Sequence, residues 1–343
     1  MQSSHPSLSG KTSYLKANEM KCIYRNIFCY SLIIFGLLFV PHANAVFPDH
    51  PIRLVVPSGA GGITDSLARL LATELSQNLG QQVFVENRPG ASGIAGTQFV
   101  ASSPPDGYTL LMVFPSHVSN PSLFSKLPYD TIKAFAPISM VSNVSMVFVV
   151  PKDSPANNIK EFILYAKSNP GKLNFATVGS GSLGHLGAEL FNSMAGTSIA
   201  HIPYKGSPQA MTALISGEAN MYLVASASSA LPLINAKQIK ALGVSTKEKL
   251  PILPNTQPIS ETVKGYDVQG WNGIMAPAGT SPEIIEKLNK AIIKSVASEE
   301  FAKKLRQEGA TGFTSTPAEF QNLIMRDIAK WAKVIKNANI QLD

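Results

Sequence analysis

Two glycine-rich segments contain the residue types that bind small anions. The first, Pro57–Asp65, reads PSGAGGITD between an apolar run and a helical pattern. Its glycines allow several backbone N–H groups to point at one spot, and a helix start adds partial positive charge, so an anion could bind without Arg or Lys. A plain tight turn explains the same residues equally well. Asp65 is either a first-turn acid favoured by the helix dipole, the interpretation we prefer, or a partner for a ligand amine.

The second segment, Thr177–Ser182, reads TVGSGS and adds hydroxyl groups to the backbone donors. It also lies between a predicted strand and a predicted helix. Ser182 could contact a ligand or simply act as the N-cap of that helix. One such segment in each of two lobes could hold a single ligand from both sides.

Three further side chains are candidates for the same site. Ser116 follows a predicted strand, and Tyr204 ends a later one. His185 could reach the ligand, or it could form an i,i+4 contact with Glu189 on a solvated helix face. The complete set of predicted ligand-binding residues is Ser58, Ala60, Gly61, Gly62, Thr64, Asp65, Ser116, Ser180, Gly181, Ser182, His185 and Tyr204.

Motifs for nucleotide binding and for catalysis are missing from both segments. The first lacks the Gly-Lys-Ser/Thr of a P-loop, and Thr64 stands where a dinucleotide-binding fingerprint needs its third glycine. In the second, Gly181 stands where a hydrolase nucleophile elbow beginning at Gly179 needs its serine. The histidines after residue 45 show no metal-ligand spacing, so we expect no metal and no cofactor.

The first 45 residues have the pattern of a secretory signal peptide. A basic start at Lys21 and Arg25 precedes the apolar run Ile27–Val40, and residues 43–45 form an A-x-A cleavage site. A proline closes this run well short of the roughly 20 residues that a membrane-spanning helix needs. We therefore expect cleavage before Val46 and secretion of the mature chain.

The charge and cysteine content exclude several classes of protein. Residues 1–45 hold four of the 29 basic and one of the 22 acidic residues, which leaves the mature chain a net charge of +4. Its basic residues are interleaved with acidic ones, so nucleic-acid binding is not supported. Both cysteines, Cys22 and Cys29, are removed with the signal, which excludes disulfides and thiolate chemistry. With 45% hydrophobic and 15% charged residues, the chain is not disordered.

Alternating strand and helix patterns predict two α/β domains. In the first, the apolar runs Ile52–Val56, Val83–Glu86 and Tyr108–Val113 alternate with helices that begin near residues 64 and 92, which makes a βαβαβ unit. The pattern restarts after the apolar run Val144–Val150. Helices are then predicted at 159–166, 182–194 and 209–215, and strands at 173–176, 199–202, 220–224 and 239–244.

The chain should cross between the two domains twice, near residues 144–150 and 268–275. Domain 1 is predicted to comprise residues 46–150 and 269–343, and domain 2 residues 151–268. Two amphipathic helices near 284–292 and 320–335 have no strand after them and should pack on domain 1. Trp271 and Trp331 are interpreted as core residues. Open α/β sheets bind ligands at the carboxyl ends of their strands, so the cleft between the domains is the expected site.

Several sequence blocks resemble one known family. They are PIRLVVP at 51–57 with GGITD at 61–65, VENRPG at 85–90, PDGYTL at 105–110, LPYD at 127–130, GSLGHL at 181–186, HIPYKG at 201–206 and APAGT at 276–280. Because they occur in order, the chain resembles the Bug-type periplasmic solute-binding proteins of tripartite tricarboxylate transporters over residues 47–343. It departs from that pattern at 217–220 and at 254–259.

This resemblance implies a two-domain periplasmic binding protein of the Venus flytrap type, similar to type II. Such a protein captures a small carboxylate (a di- or tricarboxylate, an amino acid or an aromatic acid) and delivers it to a membrane permease. The carboxylate would be held by donors of Ser58–Thr64 and Ser180–Ser182. A monomer without enzymatic activity is expected.

Two other hypotheses belong to different functional classes. In one, the ligand-bound form docks on a receptor or sensor kinase instead of a permease, which the sequence cannot distinguish. In the other, the chain is a secreted hydrolase that uses Ser180 or Ser182 with His185, although Glu189 is the only evident acid to orient the histidine.

Overall fold

The computed structural model describes residues 47–225, 227–307 and 310–342, so the predicted signal peptide lies outside the described residues. The strands are β1 (Ile52–Val56), β2 (Val83–Asn87), β3 (Thr109–Val113), β4 (Phe135–Ser145), β5 (Val147–Pro151), β6 (Asn174–Thr177), β7 (Ala200–Pro203), β8 (Met221–Val224), β9 (Ile239–Val244), β10 (Gln269–Pro277) and β11 (Ala310–Gly312). The α-helices are α1 (Ile63–Leu79), α2 (Ile94–Ala101), α3 (Ser116–Leu123), α4 (Ile159–Ser168), α5 (Leu183–Ala195), α6 (Ser207–Ser216), α7 (Ala227–Asn235), α8 (Pro282–Val296), α9 (Glu299–Gln307) and α10 (Pro317–Asn337).

The first sheet has six strands in the order β11-β4-β10-β3-β1-β2. Strand β1 runs parallel to both β2 and β3, with Leu54 opposite Val85 on one side and Leu110 on the other. This arrangement confirms the predicted βαβαβ unit. Helix α1 covers the sheet with a fully buried stripe that includes Leu67 and Leu71.

The second sheet has five strands in the order β7-β6-β8-β5-β9. Strand β6 runs parallel to β7 and β8, and β5 runs antiparallel to β8 and β9. Each sheet therefore contains a parallel trio bordered by an antiparallel strand, which is β10 in the first sheet and β5 in the second. The middle strand of each trio, β1 or β6, leads into one of the two glycine-rich segments. The two lobes therefore share this layout.

The structure differs from the sequence-based expectation where strands run antiparallel. Strands β4 and β11, which pair with each other, were not predicted, and β11 lies between the two helices expected at the C-terminus. The apolar run 144–150 spans two strands, since β4 ends at Ser145 and β5 begins at Val147 in the other sheet. The chain thus leaves the first sheet at Met146, a few residues before the predicted domain boundary at 150.

The C-terminal helix α10 packs on the first sheet, as expected. Phe320 and Trp331 are fully buried on its inner face. A Cβ atom at Gly273 of β10 would lie 2.3 Å from the Phe320 ring, so only glycine allows this close approach of helix and strand. Helix α10 also contacts α5 of the second lobe. Among the described helices, none is both long enough and apolar enough to cross a lipid bilayer.

Candidate ligand-binding site

The first glycine-rich segment turns the chain sharply from β1 into α1. Gly61 adopts a φ of +84°, a conformation that favours glycine. The N-cap of α1 is Gly62, which has no side chain to accept a hydrogen bond from the first turn of the helix. The backbone N–H groups at this helix start therefore have no side-chain cap at Gly62, and the first-turn carboxylate of Asp65 offsets part of the partial positive charge of the helix end.

Asp65 braces this segment from within. Its side chain is almost fully buried, and its Oδ2 accepts hydrogen bonds from the Gly61 N–H at 2.9 Å and from Arg69 Nε at 3.1 Å. Its Oδ1 accepts one from Asn87 Nδ2 at 2.9 Å. Burial alone would raise the pKa of this carboxyl group, but these donors outweigh it and the pKa is lowered. Asp65 thus occupies the preferred structural role of a first-turn acid.

The second segment repeats this arrangement with different side chains. Gly181 has a φ of +74°, and its N–H donates to Nδ1 of His185, four residues on, at 3.0 Å. Ser182 is the N-cap of α5: its Oγ accepts from the His185 N–H at 3.3 Å and donates to the Gly179 carbonyl at 2.7 Å. The N-cap interpretation of Ser182 is confirmed. In both lobes, a glycine N–H is therefore bonded to the side chain four residues later.

The buried His185 ring stacks on a second, half-buried histidine. The His185 residue is 5% exposed, so the expected solvated face is wrong, whereas the expected i,i+4 approach to Glu189 is found. The ring lies 3.7 Å from that of His201, at an interplanar angle of 15°. His201 Nε2 is 2.7 Å from Thr177 Oγ1, and His185 Nε2 is 3.9 Å from the Glu189 carboxylate. The pKa of each histidine is lowered to about 4, by burial for both and for His185 also by the neighbouring His201, so both rings are neutral near pH 7.

The two segments meet at a cavity of about 280 Å³. Of the predicted residues, Thr64, Ser116, Gly181 and Ser182 line it. The other predicted residues lie outside its lining: Ser58, Ala60, Gly61, Gly62, Asp65, Ser180, His185 and Tyr204. The full set of lining residues is Ile63, Thr64, Phe114, Pro115, Ser116, Ser119, Val144, Gly181, Ser182, Leu183, Leu186, Ala225, Gly270, Trp271, Asn272 and Trp331.

Several predicted residues have partners elsewhere. The Tyr204 hydroxyl donates to the Glu218 carboxylate at 2.9 Å, and its ring packs against the core of the second sheet. The Ser58 carbonyl accepts from Asn87 Nδ2 at 3.2 Å. These residues help to hold the segments in place, and a role as direct ligand contacts stays a prediction.

Three of the wall residues that sequence reasoning missed come from the C-terminal part of the chain. Trp271 and Trp331 are buried, as expected of core residues, and both also line the cavity. Asn272, next to Trp271 on β10, is 3% exposed and donates through Nδ2 to Ser142 Oγ at 3.1 Å. Its Oδ1 is buried without a hydrogen-bond partner among the described residues. These residues come from β10 and α10, far along the chain from either glycine segment.

A larger cavity of about 670 Å³ shares only Trp271 with this one. Its walls include charged side chains such as Lys247, Asp267 and Arg326, and they include no residue of either glycine-rich segment. We therefore place the candidate site at the smaller cavity, where helix starts from both lobes converge.

Comparison with known proteins decides the family. Residues 67–340 match the family described as "Tripartite tricarboxylate transporter family receptor". The chain belongs to this receptor family. The protein BugT of Bordetella pertussis (strain Tohama I) is 34% identical over 314 residues, a match that covers 88% of this chain and 93% of BugT. The family and the fold that the sequence blocks predicted are thereby confirmed.

Two solved structures show the same fold with carboxylates present. The R. palustris protein Rpa4515, solved with adipate, is 35% identical and has a TM-score of 0.73, covering 86% of this chain and all of that one. MatC from Rhodopseudomonas palustris, with bound malate, is 29% identical with a TM-score of 0.69 and covers 84% and 100% of the two chains.

Proposed function

We propose that this chain is a periplasmic binding protein that captures a small carboxylate in the 280 Å³ cavity and delivers it to a tripartite tricarboxylate transporter permease. One observation carries the proposal: helices α1, α3 and α5 all begin at the cavity wall, at Ile63, Ser116 and Leu183. A helix start has a partial positive charge and N–H groups without helical partners. Some of these groups are already bonded here: the His117 and Val118 N–H groups donate to backbone carbonyls, and the His185 N–H donates to Ser182 Oγ. Such a site suits an anion.

Hydroxyl groups supplement these helix starts. Thr64 and Ser116 line the cavity beside two of the N-termini, whereas the Ser182 hydroxyl at the third already donates to the Gly179 carbonyl. A carboxylate that leaves water must regain its hydrogen bonds, and charge-assisted bonds to N–H and O–H groups are the strong ones. The adipate and malate in the related R. palustris structures support a carboxylate ligand here.

Delivery to a permease follows from family membership together with the predicted signal peptide. The alternative, docking on a receptor or sensor kinase, uses the same bound form. To distinguish them, the full chain with a C-terminal tag would be expressed in its native host, and membrane partners cross-linked with and without carboxylates in the medium. We expect ligand-dependent recovery of permease subunits and loss of carboxylate uptake when the gene is deleted. Recovery of a sensor kinase with unchanged uptake would contradict the transport role.

The hydrolase hypothesis, which names Ser180 or Ser182, finds no support in the contacts of Ser182. The Ser182 hydroxyl bonds to backbone groups at Gly179 and His185, and the His185 ring accepts from the Gly181 N–H. A serine nucleophile needs the imidazole of its base within hydrogen-bond reach. We predict no turnover of esters or amides, and a broad panel of such substrates tests this.

A further inference from the structure

The second glycine-rich segment, Thr177–Ser182, is held in place by side chains that lie behind the cavity wall. The Gly181 N–H donates to His185 Nδ1 at 3.0 Å, and the Gly179 N–H donates to Thr177 Oγ1 at 3.2 Å. Thr177 Oγ1 in turn lies 2.7 Å from Nε2 of His201. Neither histidine is among the described residues that line the cavity, whereas Gly181 does line it. The two histidines can therefore act on the site only through this segment.

The two imidazole rings form one unit across the paired strands β6 and β7. Their centres are 3.7 Å apart at an interplanar angle of 15°, and the Phe175 ring of β6 lies 5.1 Å from that of His201. This packing restricts the plane of each ring. His185 contacts the segment at Gly181 and His201 contacts it at Thr177, so the stack supports the segment near both of its ends.

The contact with Gly181 requires a neutral His185. A backbone N–H can only donate, so Nδ1 must be an unprotonated acceptor, and the single proton of the ring lies on Nε2. A second proton, on Nδ1, would place two donors against each other at 3.0 Å. The hydrogen bond would then be lost, and Gly181 would have to move away from the ring.

Charged groups from two helices face the histidine stack. On α5, Glu189 Oε1 lies 3.9 Å from His185 Nε2, which favours a proton on that ring. Lys330 and Lys333 of α10 line a cavity of about 720 Å³ together with Glu189 and His201, and their charges disfavour a proton there. A charge on either imidazole also opposes a charge on the other. Burial, and for His185 also the neighbouring His201, lowers the pKa of each ring to about 4.

Two tyrosines on other elements lie against α5 and are uncharged near pH 7. The Tyr222 hydroxyl of β8 donates to Ser207 Oγ at 3.2 Å, and the Tyr266 hydroxyl donates to the Gly187 carbonyl at 3.1 Å. Burial raises the pKa of both phenols, so they stay protonated in acid. They therefore add no charge that changes between pH 7 and pH 4.

We infer that His185 and His201 are positioning residues for the bound carboxylate: as neutral rings they hold the second glycine-rich segment in its donor arrangement, and a proton on His185 releases it. This inference rests on the proposed function, because the segment adjoins the same cavity. Ligand affinity then falls in acid for a reason other than protonation of the ligand. A neutral ring also adds no negative charge beside an anion, whereas the Asp65 carboxylate of the first segment is paired with Arg69.

Two variants of His185 test the positioning role in titration calorimetry at pH 7. His185→Asn places an amide oxygen close to the position of Nδ1, so it keeps an acceptor for the Gly181 N–H but cannot gain a proton. His185→Phe keeps a ring and removes the acceptor. The probes are adipate, malate, citrate and benzoate, and the proteins are first unfolded and refolded to release bound ligand.

We expect an acid that binds the wild type to bind His185→Asn within threefold and His185→Phe at least tenfold more weakly. Equal affinities of the wild type and His185→Phe would overturn the inference and leave the proposed function standing. If the wild type binds none of the acids, both fail.

The pH dependence of affinity distinguishes positioning by a neutral ring from packing alone. With a pKa of about 4, half of the His185 rings are neutral at pH 4, so the wild type should lose about twofold in affinity relative to His185→Asn between pH 7 and pH 4. Protonation of the ligand affects both proteins equally. His50→Asn, at a side chain 60% exposed, is the control and should follow the wild type. Parallel profiles of the wild type and His185→Asn, or a wild-type affinity that rises in acid, would contradict release by a proton.

Thr177 provides an independent test in case a His185 variant does not fold. Thr177→Val keeps the shape of the side chain but removes Oγ1, the atom between the Gly179 N–H and His201. Thr177→Ser keeps that oxygen and is the matched control. We expect at least a fivefold loss of affinity in Thr177→Val at pH 7 and a change of less than twofold in Thr177→Ser. Similar affinities of the two variants would contradict a role of His201 through this contact.

Discussion

At the scale of single residues, each glycine segment is closed by a side chain four positions beyond its glycine. Asp65 accepts from the Gly61 N–H and His185 from the Gly181 N–H. Each bond directs the glycine N–H toward its own segment and fixes the orientation of the backbone N–H groups that follow it. The two residues differ in chemistry, one a buried anion and the other a neutral ring, so they make different predictions with pH.

Asp65→Asn should lower the free energy of unfolding by about 1.5–3 kcal/mol at pH 7, because hydrogen bonds to a charged group are lost. The folded-state pKa of Asp65 is lowered from 3.8, so its contribution is present above that pH and is lost as the pH falls through the folded pKa. In urea unfolding, the difference in free energy of unfolding between the wild type and Asp65→Asn should therefore narrow below about pH 3.8. Asp153→Asn, with an 87% exposed side chain, is the control. A gap that does not change with pH would contradict the role of the charge.

The stacked histidines predict a loss of stability in a higher pH range than Asp65 does. An unfolded histidine has a pKa near 6.5, whereas the pKa of His185 in the folded protein is about 4. Between these values the unfolded chain binds a proton that the folded chain does not, so stability falls as the pH decreases from about 6.5 to about 4. His185→Gln should reduce this slope by up to about 1 kcal/mol per pH unit. The slope does not vanish, because burial also lowers the pKa of His117 and of His201 to about 4.

His50→Gln serves as the comparison, since that side chain is 60% exposed. Chemical unfolding of the wild type, His185→Gln and His50→Gln between pH 7 and pH 4 gives the pH dependence of the free energy of unfolding for each. If His185→Gln and His50→Gln show the same slope, the buried stack makes no pH-dependent contribution.

Residue-level prediction from the sequence reached the glycines, Asp65 and the N-cap Ser182, since their environments are set by neighbours in the chain. It did not find that His201 stacks on His185, because that contact depends on the pairing of β6 with β7. One signal was available: the glycine and the polar side chain four residues later have the same spacing in both segments. Asn272 was beyond reach, since only the sheet order brings β10 to the cavity.

At the scale of elements, the site consists of strand-to-helix turns that require glycine. Gly61 and Gly181 both have positive φ angles, but their surroundings differ. A Cβ at Gly61 meets no atom within 4 Å, whereas one at Gly181 would lie 2.8 Å from Leu342 Cδ1 and 3.0 Å from Leu123 Cδ1. The first position is therefore sensitive to backbone conformation alone, and the second to packing as well.

We expect Gly181→Val to abolish carboxylate binding and Gly61→Ala to weaken it at least tenfold, since each substitution disturbs the direction of the donor groups. The strain of an L-residue at positive φ costs about 1–2 kcal/mol of stability. Gly171→Ala is a matched control, with a φ of +70° and open space around it. Gly171→Ala should lose the same amount of stability, but its carboxylate affinity in titration calorimetry should be unchanged. Unchanged affinity in both Gly61→Ala and Gly181→Val would contradict the donor-loop account.

The parallel strands and long helices were predictable because their apolar residues follow clear periods. The antiparallel strand β4 was not, since polar residues such as Ser139 and Ser142 are fully buried within it. Ser139 Oγ is bonded to backbone groups of Met140 and Ser315, contacts that no local pattern reveals. Strand β11, with three residues, is too short for a periodic signal.

At the scale of the whole molecule, the helices that adjoin two sheets of similar layout have their N-termini at one cavity. The chain passes between the sheets at Met146 and again between β9 and β10. Having only a small number of connections between two lobes is compatible with hinge closure around a ligand. The sequence predicted this division into two lobes from its order of elements, but not the wall of the cavity, which combines residues from seven separate segments of the chain.

The predicted export of the chain is tested by its mature N-terminus. When the full chain is expressed in a bacterial host, mass spectrometry of the periplasmic protein should give a mass that begins at Val46. The physical basis is the A-x-A site at residues 43–45 after a short apolar run. Replacement of Ala45 by a bulky residue should block cleavage. A full-length protein found in the cytoplasm would contradict the predicted localisation.

Thermal unfolding with acids and their amides tests the central claim most directly. A carboxylate at 100 times its dissociation constant stabilises the folded protein by about 2.7 kcal/mol. At roughly 2–4 °C per kcal/mol, the unfolding temperature should rise by several degrees with an acid and stay unchanged with the matching amide. The rise should be absent in Gly181→Val. Equal shifts for an acid and its amide, or no shift with any acid after the protein has been unfolded and refolded to release bound ligand, would contradict carboxylate binding.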